Sequence, residues 1–213
     1  MIKKYIKFKN LNLNVDHIDQ LLKWKEVHNF SVPYPQFVKE KILTEYNLKN
    51  STWIETGTLV GDTAKFLSTI GNHVITIEPS KKFYNVSKKN LSKYSNIELI
   101  NDSSENCLNE IISNLKDVEN ICFWLDGHFS GGDTFQGSDD TPILKELDTI
   151  EKHISSFENI SILVDDFRLF NINNPANKEV YPDKSYLIKW CERNKLFWTV
   201  KSDIFIITNH KYS

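Results

Sequence analysis

The sequence predicts an α/β fold: a doubly wound, mostly parallel seven-stranded sheet with helices at its N-terminal end and an antiparallel β-hairpin at its C-terminal end. Three observations predict it. Short apolar runs alternate with amphipathic stretches five times between Ser51 and Val164. Two further runs near the C-terminus are separated only by Lys201-Ser202-Asp203. The seven glycines are confined to positions 57–137 and cluster after strand-like runs. Short apolar runs suit strands buried on both faces, and their alternation with helices suits a parallel sheet.

Each element has its own signal. From about Asp16 to Lys49, Ile18, Leu21 and Leu22, then Phe37, Val38, Ile42 and Leu43, recur at helical spacing around Val32-Pro33-Tyr34-Pro35, which predicts two amphipathic helices. Ser51–Glu55, Asn72–Glu78, Ile97–Ile100, Ile121–Leu125 and Ile160–Val164 read as five strands. Helices are expected through Thr63–Leu67, Ser80 to about Tyr94, Leu108–Leu115 and Ile143–Ile154. Tyr186–Arg193 reads as a last helix, and Leu196–Val200 with Ile204–Thr208 as the hairpin.

Composition bounds the function. With 213 residues, of which 40% are apolar, the chain is long enough for a full core. It is expected to be one domain, residues 1–50 as a helical cap and 51–213 as the α/β core. Lysine and arginine (26) nearly balance aspartate and glutamate (28), a net charge of −2 that disfavours a nucleic-acid partner. No apolar run approaches the roughly 20 residues of a bilayer span. Lys7, Lys9 and Asn10 interrupt any apolar leader, and Cys107, Cys122 and Cys191 are isolated, so a cytoplasmic location is expected.

The chemistry is expected at the strands' carboxyl ends, where doubly wound sheets bind ligands. The first strand delivers Glu55-Thr56-Gly57-Thr58-Leu59-Val60-Gly61-Asp62-Thr63. Gly57 suits a tight turn, and Gly61 suits close entry into the helix. The second strand ends in Glu78-Pro79-Ser80, and an acid there can accept both ribose hydroxyls of an adenosine. The third ends in Asn101-Asp102-Ser103, where Asp102 can meet the adenine amino group. Helix capping is the alternative for Glu78 and for Asp102-Ser103. The candidate cofactor-binding set is Glu55, Thr56, Gly57, Thr58, Gly61, Thr63, Glu78, Ser80, Asp102 and Ser103.

The fourth strand ends Leu125-Asp126-Gly127-His128 and the fifth Val164-Asp165-Asp166-Phe167. Neighbouring strands would bring three carboxylates onto one rim, unfavourable unless a cation sits among them; all-oxygen ligands suit Mg²⁺. The alternative is a cap and a turn. Between Phe129 and Thr141 lies a long loop in which Ser130, Asp133 and Thr134 offer polar groups to a hydroxylated acceptor, with Phe129 and Phe135 placed to stack on a ring. Arg168, one of two arginines, either clamps an acidic substrate group or pairs with a nearby acid. His128 is a candidate base or a structural histidine, and Asp126 shares the base role.

Glu55-Thr56-Gly57 and Gly61 followed by Glu78 resemble the cofactor signature of class I S-adenosylmethionine (SAM) dependent methyltransferases, in a form with fewer glycines. Leu125-Asp126-Gly127 and Val164-Asp165-Asp166-Phe167 resemble the metal motifs of Mg²⁺-dependent macrolide-sugar O-methyltransferases. The resemblance implies a Rossmann-like methyltransferase fold, SAM and Mg²⁺ as cofactors, and Asp126, Asp165 and Asp166 as metal ligands. It also implies O-methyl transfer to a small hydroxylated acceptor such as a sugar. A homo-oligomer is compatible with it. Two other readings stay open: a metal-dependent hydrolase whose aspartates activate water, and a non-catalytic nucleotide-binding module.

Overall fold

The computed structural model describes residues 15–127, 141–170 and 181–211. Helices α1 (Val15–His28) and α2 (Gln36–Glu45) come first. Then follow β1 (Thr52–Thr56), α3 (Asp62–Ile70), β2 (His73–Ile77), α4 (Lys81–Leu91), β3 (Ile97–Ile100), α5 (Ser104–Asn114), β4 (Asn120–Leu125), α6 (Ile143–His153) and β5 (Asn159–Val164). The chain closes with α7 (Lys184–Arg193), β6 (Phe197–Lys201) and β7 (Ile204–Thr208).

The seven strands form one sheet in the order β3-β2-β1-β4-β5-β7-β6. Strands β1 to β5 pair in parallel. β7 runs antiparallel to both β5 and β6. The hairpin turns through Ser202 and Asp203, both at positive φ (46° and 67°), the geometry that matches the right-handed twist of its strands. The order runs outward in opposite directions from β1 and β4, which puts the switch point between them.

Two buried clusters cover the sheet's faces. Ile54, Phe123, Leu125, Ile162 and Phe205 meet Leu108 and Ile112 of α5, Leu147 of α6 and Trp190 of α7 on one side. Trp53, Cys122, Trp124 and Leu163 meet Phe37, Val38, Ile42 and Leu43 of α2 and Leu67 of α3 on the other. These alternate residues of the same strands serve opposite faces, which is why β4 and β5 read as nearly continuous apolar runs. The three cysteines carry no disulfide; Cys122 and Cys191 are buried, and burial pushes each thiol up to about 12. Among the described residues no helix is long and apolar enough to cross a membrane.

Candidate functional site

Strand register sets the site. Thr56 lies opposite Ile77 on one side and Leu125 on the other, Leu125 opposite Val164, and Ile77 opposite Ile100. The next residue of each strand is therefore level with its neighbours: Asn101, Glu78, Gly57, Asp126 and Asp165, in that order across the rim. The ladder continues through them, since the amides of Gly57, Glu78, Asp126 and Asp165 donate to Ile77, Ile100, Thr56 and Leu125 carbonyls at 2.9–3.1 Å. Asp126 and Asp165 thus leave adjacent strands, about 4.8 Å apart. Register therefore puts Glu78, Asp126 and Asp165 at the same end of the sheet.

Gly57 is at φ 89°, and a Cβ there would stand 2.5 Å from the Asp126 carbonyl oxygen. The first loop can lie this close to the fourth strand's exit only with glycine at that position. Gly61, at φ 92°, is the residue from which α3 starts. Glu78 is buried, and both its oxygens are held: Oε2 accepts from the Leu59 amide at 2.7 Å and Oε1 from the Ser80 amide at 2.8 Å. Burial raises its carboxyl and these two amides oppose the rise. Each oxygen keeps a second lone pair, so the loop orients the acid without exhausting it.

The other cofactor candidates divide. Glu55 turns into the sheet face under α2 and α3, fully buried, its Oε2 accepting from Thr76 Oγ1 at 2.5 Å; Thr58 Oγ1 meets the same Thr76 hydroxyl at 2.5 Å. Burial pushes Glu55 up to about 8, with Thr76 opposing and Asp126 and Glu78 adding to the rise. Glu55 Oε1 and Thr56 Oγ1 are buried polar atoms with no hydrogen-bond partner. The Thr63 hydroxyl accepts from Gln36 of α2 at 3.3 Å. Ser80 caps α4, and Asp102 accepts from the Ser103 amide and the Asn106 side chain at 2.7 and 2.9 Å. Asp102-Ser103 therefore does local work at the start of α5. Glu78, by contrast, reaches across to the Leu59 amide as well as holding its own turn. The glycine loop and the oriented acid at the second strand's tip fit an adenosine cofactor, whereas Glu55 Oε1 and Thr56 Oγ1 are buried on opposite faces of β1.

The metal candidates sit differently. Lys39, from α2, makes a salt bridge with Asp165 Oδ2, with only 20% of the lysine side chain and 2% of the aspartate side chain exposed. Its Nζ lies over the Trp124 ring, 5.7 Å from the centroid. Burial lowers the Lys39 ammonium, but Asp165, with Asp126 and Asp166, more than offsets this and holds it above the ordinary lysine range. Burial also raises Asp165, against the pull of Lys39 and with Asp166 adding to the rise. Arg168 bridges Asp166 and Asp203, the latter in the β6–β7 turn, and its own amide donates to Asp203 Oδ1 at 2.8 Å. Of the two roles left open for Arg168, pairing with nearby acids is the one it plays here. Among the described residues no group of three or more His, Cys, Asp or Glu side chains is arranged to hold a metal ion. Asp165 and Asp166 already carry protein cations, so the arrangement does not fit the expected Mg²⁺.

His128, Ser130, Asp133 and Thr134, with the rest of that loop, lie outside the described residues. Three residues at the site carry no motif and were not expected there: Gln36, Lys39 and Asp203. Lys39 did leave a trace, since Ile42 and Leu43 follow it by three and four residues, which puts it on the buried face of α2. Asp203 left none beyond a place in the hairpin turn.

No family model matches the sequence, and no curated protein matches it. Solved structures do. A Staphylococcus aureus protein named for a caffeoyl-CoA O-methyltransferase is similar over 97% of this chain and 96% of its own, with TM-score 0.54 and 13% identity. A Clostridium thermocellum protein named for rRNA methylation gives TM-score 0.51 at 12% identity, over 80% of this chain and 93% of its own. A Streptococcus mutans protein named for methyltransferase activity, solved in complex with SAH, gives 0.50 at 15%, over 83% and 97%. The chain has the Rossmann-like fold of these SAM-dependent methyltransferases.

Proposed function

We propose that the protein is a SAM-dependent O-methyltransferase that modifies a hydroxyl of a small polar acceptor, such as a sugar or a glycoconjugate precursor. The observation that carries this reading is the level rim in which Gly57 lies between Glu78 and Asp126. This arrangement supports a reading in which Glu78 binds ribose on one side of the glycine loop and Asp126 meets an acceptor on the other. That a SAH complex exists among proteins of this fold supports the choice of donor.

Bound SAM would supply an electrophilic methyl group to an acceptor hydroxyl, leaving S-adenosylhomocysteine, and the hydroxyl's proton would pass to a protein base. Glu78, oriented by the Leu59 and Ser80 amides, holds ribose hydroxyls through its free lone pairs. Asp126, which leaves β4 with its backbone carbonyl beside Gly57, would take the acceptor's proton. His128 is the second candidate for that proton, on sequence grounds. Lys39 and Arg168 hold one oxygen each of Asp165 and Asp166, which offsets the charge of these acids without a divalent ion. A net charge of −2 favours a small acceptor over RNA.

Titration calorimetry with SAH tests the donor site. Wild type should bind, and Glu78→Gln should bind about 10- to 100-fold more weakly, the value of charge-assisted hydrogen bonds to two hydroxyls. Equal affinity in a variant with an unchanged circular dichroism spectrum rules out the adenosine role of Glu78. Mass spectrometry of sugar nucleotides incubated with SAM, scored for gain of one methyl group, then tests the acceptor class.

A further inference from the structure

The carboxylates of Asp126, Asp165 and Asp166 repel one another wherever strands β4 and β5 end side by side, and a cation must offset that. Two are already built in. Arg168 spans Asp166 and Asp203. Lys39 reaches Asp165 from a helix that is itself pinned, because Phe37 and Val38 before it and Ile42 and Leu43 after it are all buried on the sheet. Trp124 lies beneath its ammonium at 5.7 Å. A hexacoordinate Mg²⁺ needs oxygens at about 2.0–2.1 Å, and Lys39 already holds Oδ2 of Asp165, so its ammonium stands where an ion bound to that oxygen would sit.

We propose that Lys39 is the resident cation at the ends of β4 and β5, so that Asp165 holds an ammonium in place of a divalent ion, Arg168 serves Asp166, and the acceptor site works without metal. This deepens the methyltransferase reading, on which its catalytic meaning rests, but the charge arrangement stands apart from it. Lys39 acts as a positioning residue. It keeps Asp165 turned toward α2 and offsets the charge beside Asp126. An ammonium carried by a buried helix is always present, whereas a divalent ion would have to be recruited from solution.

Mn²⁺ titrated into the full-length protein, with free Mn²⁺ read by electron paramagnetic resonance, tests the proposal without reference to turnover. Wild type and Lys39→Arg should leave Mn²⁺ free up to millimolar concentration. Lys39→Met, which keeps the packing of the stem while removing the charge, should bind Mn²⁺ on the order of 100-fold more tightly, the effect of deleting one unit charge at contact distance. Adding Asp165→Asn to Lys39→Met should abolish that binding. Wild type that binds Mn²⁺ and loses it on Asp165→Asn overturns the proposal. So does a folded Lys39→Met protein, with a thermal transition intact, that binds none. SAH calorimetry on the same samples separates the two readings, since protein that binds no SAH removes the methyltransferase assignment while the Mn²⁺ result still decides the role of Lys39.

Discussion

Glu55 carries its charge chemistry inside the sheet. Among the described residues its hydrogen-bond partner is the Thr76 hydroxyl, and burial pushes its carboxyl up to about 8. A carboxyl whose folded value lies above its unfolded value binds more protons when folded, so stability falls as pH rises from about 4.5 to about 8. Glu55→Gln keeps the neutral shape and removes that dependence. Scanning calorimetry from pH 5 to 8 should show a variant whose Tm exceeds that of wild type by a margin that widens with pH, to about 5 °C at the upper end. Parallel curves would show that Glu55 ionises freely in the folded protein. The sequence could place Glu55 at the end of a strand but not on which face its side chain falls, because Thr52-Trp53-Ile54-Glu55-Thr56 is buried on both sides and carries no alternation of polar and apolar residues to read. Glu78 was easier: it stands at the tip of β2, beyond the last buried pair of the ladder, where a side chain of either parity meets the crevice.

Helix α2 shows how an element outside the motif-bearing core shapes the site. Its apolar residues, spaced to make one stripe, bury it against Trp53 and Trp124. From there Gln36 reaches Thr63 and Lys39 reaches Asp165. Leu43, fully buried in that stripe, is the anchor. Leu43→Ala should cost about 3 kcal/mol by leaving a cavity, measured as a lower midpoint in urea with an unchanged slope. A loss under about 1 kcal/mol would mean that α2 docks loosely and that Lys39 is not held in place by packing. The helix itself was legible from its periodicity and from the prolines before it. Its destination was not, since the same stripe would satisfy either face of the sheet.

The molecule as a whole is closed by the C-terminal hairpin. β7 inserts between β5 and β6, which brings the Ser202-Asp203 turn to the end of β5. There Asp203 meets Arg168, while its carbonyl accepts from the Phe167 amide at 2.8 Å. Arg168→Met leaves Asp166 and Asp203 facing each other with 12% and 10% of their side chains exposed. Because the guanidinium is about one-third exposed, solvent screening lowers the penalty, which should be about 1–2 kcal/mol. Thermal melts should show a Tm about 2–6 °C lower, and the deficit should shrink in high salt. An unchanged Tm would mean that the hairpin needs no ionic tie to the rim.

Local pattern was enough to establish the two N-terminal helices, the five strand–helix alternations, the hairpin and the acids at strand tips. Hydrophobic period, glycine and turn chemistry act over a few residues, and each leaves its mark where it acts. The strand order, the level rim made by neighbouring registers, the inward turn of Glu55 and the partners of the aspartates came from folding. Lys39 and Asp165 are 126 positions apart, and Arg168 and Asp203 are 35 apart. No periodicity records such pairs: they exist because α2 packs on one sheet face and β7 inserts beside β5, and the charges that meet there are chosen by packing at a distance.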